Sequence, residues 1–291
     1  MEQRILLVFL LTALINFINT LTRSSRLVGV RTASLATALS LTGVVYLAAS
    51  FANTLQAPLL ASAVEGIIKD AYAVALLNSP AAPVAAPVYR EALGALEGVL
   101  RLVMLGAALG SAAGLLAVPS FIATFTNAVR AFGRTGSVFG LALLLLSPAG
   151  WRPGGVVALR WVSRRTLKEL VARRLSTPPA FLFWNLASYC LWTVNVLAGL
   201  YAGALYPEFR QTAVLMAAVV GNASIVTNVL MVDPVLAKVT DAVSRGAEEE
   251  AELKQIIFYL SLTNLVGTLL AQVLFVPTAQ ALKYFTVLTS R

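Results

Sequence analysis

The sequence predicts an all-α polytopic membrane protein. It has about six transmembrane helices plus an amphipathic or re-entrant segment around 119–150, in a single integral membrane domain, 1–291. Three observations predict it. Of 291 residues, 58% are hydrophobic and only 12% are charged, about half the charge of an ordinary soluble domain. The mean hydropathy is +0.81. Apolar runs long enough to cross a hydrocarbon layer of about 30 Å, at about 1.5 Å per residue, recur along the chain.

The first span covers residues 5–22, ILLVFLLTALINFINTLT. No small-residue cleavage site follows it and RSSR closes it, so it reads as a retained span. The second, 33–61, is overlong for one crossing, which predicts tilt or a break near Pro58. In the connection NSPAAPVAAPVYRE, Pro80, Pro83 and Pro87 favour extended backbone before the third span, 99–118. Past Pro119, Ser120, Thr124, Asn127, Arg130 and Arg134 share one helical face, and Phe121, Phe125, Val129 and Phe132 the other. SVFGLALLLLS, 137–147, is too short to span and suits a membrane-embedded hairpin or interfacial helix. Spans four to six cover 180–205, 211–232 and 255–276. The last is entered through RGAEEEAELKQ, whose acids fall early in the helix, where the dipole favours them.

Charge orients these spans. The net charge is +9, from 22 Lys+Arg against 13 Asp+Glu. The basic excess lies between membrane spans, which points to anionic phospholipids or a phosphate-bearing substrate and away from nucleic acid. Arg23, Arg26, Arg31, Arg130, Arg134, the cations of 152–174, Lys238, Arg245 and Lys254 fall on one side. Arg4, Lys69, Arg90, Arg101, Arg210, Lys283 and Arg291 fall on the other. The positive-inside rule then places both termini outside. The single Cys190 excludes an internal disulfide, and the lack of histidine removes the commonest general base and metal ligand. No cofactor or metal is expected, and with no G-x-x-x-x-G-K-[ST] loop ATP does not drive the protein directly.

Polar residues run in stripes through these apolar segments. Asn16, Asn19, Arg23 and Arg26 form a ladder on span one, and Ser50, Asn53 and Gln56 recur at helical spacing on span two. Span four aligns Asn185, Ser188, Tyr189, Trp192 and Asn195, and span six Ser261, Asn264 and Thr268. Such residues commonly act as hydrogen-bond glue between helices, and Gly199 and Gly203 allow close packing in the same way. Arginines at span ends also snorkel. Arginines clustered with amides on two helices at similar depth suit an anionic head group, because the guanidinium fork matches phosphate oxygens. Asn53 and Gln56 should avoid lipid, and Pro58 frees a carbonyl near residue 54. The expectation is a locally broken helix beside a hydrated cavity.

The stretch 23–65 resembles the Amj family of lipid II flippases, the bacterial alternative to MurJ. The likeness rests on LVGVRT (27–32) with Arg26 ahead of it, and on ANTLQAPLL followed by Val64 and Glu65. It implies a plasma-membrane protein that moves undecaprenyl-diphosphate-linked peptidoglycan precursor, lipid II, from the inner to the outer leaflet. It also marks Arg26, Arg31, Asn53, Gln56, Pro58 and Glu65 as candidates. Together the two readings give the expected substrate-binding set: Asn19, Arg23, Arg26, Arg31, Asn53, Gln56, Glu65, Arg101, Asn127 and Arg130. Arg23, Arg26, Arg31 and Arg130 would capture the diphosphate, the amides would meet the head group, and Arg101 would receive it at the outer side. No catalytic residue is expected. A membrane enzyme acting on polyprenyl phosphates, or a non-transporting scaffold of cell-wall synthesis, remains as an alternative. Oligomeric state is open, a homodimer included.

Overall fold

The computed structural model describes residues 2–152, 154–161, 163–173 and 177–289, with the side chains at 145, 146 and 164–167 outside the description. Arg174 and Arg291 therefore lie outside the described residues, as do the side chains of Arg164 and Arg165. The described residues form ten α-helices and no strands. Six helical stretches are long and apolar enough to cross a membrane.

The first stretch is α1 (Glu2–Thr22) followed by α2 (Ser25–Arg31). The serines of TRSSR part them. Ser24 Oγ donates to the Leu21 carbonyl and Ser25 Oγ to that of Thr22, local bonds that compete with the helical ladder. The next turn holds Ala33 at φ 51, a left-handed conformation uncommon outside glycine. It brings α2 against α3 (Leu35–Asn78) so closely that a Cβ on Gly29 would lie 2.8 Å from the Leu35 Cα.

Helix α3 runs for 44 residues through Pro58 without interruption, so the expected break is absent. One missing backbone donor does not end a helix whose remaining ladder is intact, and membrane helices tolerate proline where neighbours or side chains serve the freed groups. At about 1.5 Å per residue its length of about 66 Å accounts for the overlong second span. Helix α4 (Pro87–Thr135) likewise passes through Pro119. Residues 119–135 are thus its continuation and not a separate amphipathic piece. Gly136, at φ 64, ends it. The nine-residue α5 (Val138–Leu146) is too short to cross.

Residues 155–160 then run along α4. Ala158 N donates to Thr124 Oγ1 at 3.0 Å and Arg160 N to Ser120 Oγ at 2.9 Å. Ser120 Oγ donates to the Arg160 carbonyl at 2.7 Å and Asn127 Nδ2 to that of Val156 at 3.2 Å. The polar face after Pro119 therefore satisfies the backbone of a non-helical segment, which carries no ladder of its own. Phe125 and Val129 are buried on the other side. Helix α6 (Arg164–Ala172) follows, and Gln255 Nε2 donates to its Leu170 carbonyl.

Helices α7 (Ala180–Leu205), α8 (Arg210–Thr227), α9 (Asp233–Ser244) and α10 (Glu250–Thr289) complete the chain. A π-helical turn, Asn228–Val232, joins α8 to α9. Pro234 stands two residues past its end, and its missing N–H favours such a widened turn.

Residues 2–135 and 180–289 follow one packing plan. In each half the first spanning helix lies chiefly on the third, then on the second, while the second and third touch least. Because the halves begin at opposite ends of the bundle, they run in opposite senses. Glycines let first and third helices close in both. A Cβ on Gly106 would stand 2.8 Å from the Phe9 carbonyl, and one on Gly110 would overlap the carbonyl of Ala13. A Cβ on Gly267 would stand 2.8 Å from the Leu186 carbonyl. The halves join mainly along α4 and α10, where Arg101 donates to the Gln272 carbonyl and Gln272 to that of Arg101.

Candidate functional site

Where α3 faces α7 and α8 the halves barely touch, and a groove remains. Helices α1 and α3 form one wall, α7 and α8 the other, and Val103, Met104 and Ala107 of α4 the floor. Three adjoining cavities follow it. A narrow one of about 170 Å³ is lined by Thr12, Asn16, Asn53, Gln56, Trp192 and Asn195. A wider one of about 470 Å³ shares Trp192 and adds Asn19, Arg23, Tyr46, Asn228 and Asp233. The third, about 330 Å³, shares Arg23, Tyr46 and Asp233 and adds Arg26 and Thr42. The groove therefore widens from the amides toward the end of the bundle that carries α2 and α9, the basic end.

Its polar groups are held by their own helices and by each other. Thr12 Oγ1 donates back to the Val8 carbonyl at 2.7 Å and accepts from Gln56 Nε2 at 2.9 Å. Asn16 Nδ2 donates to the Thr12 carbonyl at 2.9 Å. Arg23 reaches across, with Nη2 donating to Asn228 Oδ1 at 3.0 Å and the guanidinium 5.6 Å from the Tyr189 ring centroid. Asn228 in turn donates to Ser188 Oγ at 3.2 Å.

Three buried atoms along the groove have no hydrogen-bond partner among the described residues: Asn16 Oδ1, Gln56 Oε1 and Arg23 Nη1. Each such vacancy costs about 1–3 kcal/mol, more for a charged group. Water or a polar cargo would fill it, because these three residues border open cavities. Asn185 donates to Asn264 Oδ1 at 2.8 Å and Ser188 pairs with Ser224 at 3.1 Å, both buried between helices, and although Asn185 Oδ1 and Asn264 Nδ2 are also unpartnered among the described residues, the two asparagines line none of the three cavities. The glue reading describes that pair of contacts well.

Of the ten sequence candidates, the structure brings Asn19, Arg23, Arg26, Asn53 and Gln56 to this groove. Arg26 is half-buried and makes no hydrogen bond among the described residues, with Asp233 and Asp241 attracting it electrostatically. The others lie elsewhere. Arg31 pairs with Glu250 at 2.6 Å and borders a different cavity. Asn127 holds the 155–160 segment, and Arg130 is exposed. Glu65 is 3.8 Å from Arg210 toward the opposite end. Arg101 is engaged by Glu97 at 2.8 Å, by the Gln272 carbonyl and by the Phe275 ring, so it braces α4 against α10.

Tyr46, Asn228 and Asp233 belong to the groove although the sequence reading did not select them. Ser224 of α8 and Asn228, which opens the π turn, stand four apart, a spacing that could have flagged them. Asp233 reads as a span boundary until the π turn swings it toward Arg23. Among the described residues no group of His, Cys, Asp or Glu is arranged to hold a metal ion.

Comparison with known proteins bears on this arrangement. The family model described as Amj, alternate to MurJ, matches residues 11–286. A curated protein of Bacillus subtilis (strain 168), named lipid II flippase Amj, is 28% identical over 284 residues, 97% of each chain. No solved structure matches.

Proposed function

The chain belongs to the Amj (alternate to MurJ) family, and on that premise we propose that it is a lipid II flippase of the bacterial plasma membrane that carries the precursor's head group along the groove. It acts as a transporter, with the polyprenyl tail left in lipid. The observation that carries this reading is the groove itself, with two arginines at its wide end and unpaired amides at its narrow one.

Arg23 and Arg26 capture the diphosphate. Taking a bare charge to the bilayer centre costs at least about 2.5–3.5 kcal/mol, and charge-assisted hydrogen bonds to phosphate lower that cost. Asn19, Asn16, Gln56 and Asn53 then serve the sugar–peptide group beyond. The positive-inside bias supports an inner location for the basic end, with both termini outside. The wide mouth is then open to the leaflet where the precursor is made.

A volume of about 170 Å³ at the level of Trp192 and Gln56 holds roughly six waters at about 30 Å³ each. That is far less than a disaccharide-pentapeptide. Passage requires the walls to part there, so this conformer is the loading one.

Vesicles containing the purified protein and labelled lipid II test the proposal. Leaflet exchange should depend on the protein and fall at least about tenfold in Arg26→Gln, one charge-assisted bond being worth about 1.5–3 kcal/mol. Exchange equal to that of empty vesicles would reject a flippase. Exchange unaffected by both Arg23→Gln and Arg26→Gln would reject this path.

A further inference from the structure

We infer that a second site, on the far side of α2 from the groove, binds the phosphate of an anionic phospholipid. A cavity of about 350 Å³ lies at the basic end between α2, α4, α10 and the segment after residue 160. Arg31, Arg160 and Lys254 border it, and among the described residues the one acid that pairs with them is Glu250. Arg31 gives Nε and Nη2 to Glu250 at 3.1 and 2.6 Å, and Lys254 Nζ meets the same Oε1 at 2.5 Å. Arg31 Nη1 and the Arg160 guanidinium make no hydrogen bond among the described residues. Among the described residues two positive charges therefore stay uncompensated around a hollow whose wall, apart from Ser163, is apolar and includes Val118, Ile122, Ile257 and Phe258.

Cationic rim and apolar wall together select an amphiphile. A free anion would satisfy the rim and leave the wall wet, while a neutral lipid would do the reverse. Depth agrees. Trp161 at the rim is 85% exposed and Leu159 beside it 74%, and an exposed indole belongs at the head-group level of a bilayer. Leu27, in the wall and fully buried, separates this hollow from the groove that holds Arg23 and Arg26. The backbone bonds from Ser120 and Thr124 set Arg160 in place. That gives the polar face of α4 a purpose beyond holding a non-helical segment: it carries one of the three cations to the site. The inference is independent of what the groove transports.

Native mass spectrometry tests it. The protein is extracted from vesicles of equal phosphatidylglycerol and phosphatidylcholine, and its retained lipid is counted. The expected result is preferential retention of phosphatidylglycerol, reduced about fivefold in Arg160→Gln and further in Arg160→Gln/Lys254→Gln, one cation near an anionic surface contributing about that factor. Arg160→Lys should restore retention, and Arg130→Gln, at an exposed cation outside both sites, should leave it unchanged. Arg160 makes no side-chain bond among the described residues, so its variant keeps the fold, which an unchanged melting temperature verifies. Equal retention of the two lipids, or retention unchanged by both substitutions, overturns the inference. Full displacement of the lipid by millimolar inorganic phosphate does so too, by assigning the hollow to a small anion.

Discussion

Arg23 and Arg26 stand three residues apart in one basic cluster, yet their surroundings differ. Arg23 is committed to Asn228 and Tyr189 through one side of its guanidinium, while Arg26 has no such bond and lines the outermost cavity of the mouth together with Asp233. Arg26→Gln should therefore lower lipid II exchange with little change in thermal stability. Arg23→Gln should lower both, the melting midpoint by a few degrees for a loss of about 1–3 kcal/mol. Measuring exchange and melting on the same preparations checks the pair. Arg130→Gln should alter neither, since its side chain is exposed away from the groove. The ladder Asn16, Asn19, Arg23 was legible because helical spacing alone puts those residues on one face. The position of Arg31 was not, because two serines interrupt the helix between it and Arg23, and a helical count cannot be carried across a turn. The partner of Arg101 was equally hidden, since Gln272 is 171 residues distant.

At the scale of elements, α1 and α4 are held by glycines that the reading of polar stripes passed over. Gly106, Gly110 and Gly114 stand at four-residue intervals, the small-residue spacing of close membrane-helix packing. A leucine at Gly110 would meet the Ala13 carbonyl, and such overpacking costs about 1–3 kcal/mol. Gly110→Leu should lower the melting midpoint, whereas a leucine at Gly98, where a Cβ meets nothing within 4 Å, should not. The α4 face of Ser120, Thr124 and Asn127 was correctly read as distinct from its phenylalanine face, yet its bonding partner is main chain, which composition does not reveal. Thr124→Val with Asn127→Leu should free residues 155–160. A cysteine placed at Val157 in a Cys190→Ser background would then label faster, while unchanged labelling would mean that the hydroxyl and amide do not hold the segment. The lengths of α3 and α4 also escaped the sequence reading. Proline signals a stop in water, but both helices continue through theirs because a ladder short of one donor still outweighs exposing backbone to hydrocarbon.

At the scale of the whole molecule, the count of six spans followed from hydropathy, while the groove depends on which helices avoid each other, a property of no single segment. If the walls must part for transport, a thiol crosslinker joining cysteines at Asn53 and Asn195, in the Cys190→Ser background, should abolish exchange, and cleaving it should restore exchange. Persistent exchange in the crosslinked protein would show that the walls need not move. Two polar contacts bridge the walls among the described residues: Arg23 with Asn228 at the basic end, and Arg210 with Glu65 toward the other. They work like clasps at the two mouths of a purse, each made by an arginine that phosphate can draw away. A diphosphate arriving at Arg23 competes with Asn228 for the same N–H group, so taking on the cargo also undoes the fastening beside it. The exposed pair at the far mouth, worth no more than about 1 kcal/mol, presents little resistance to the cargo's departure.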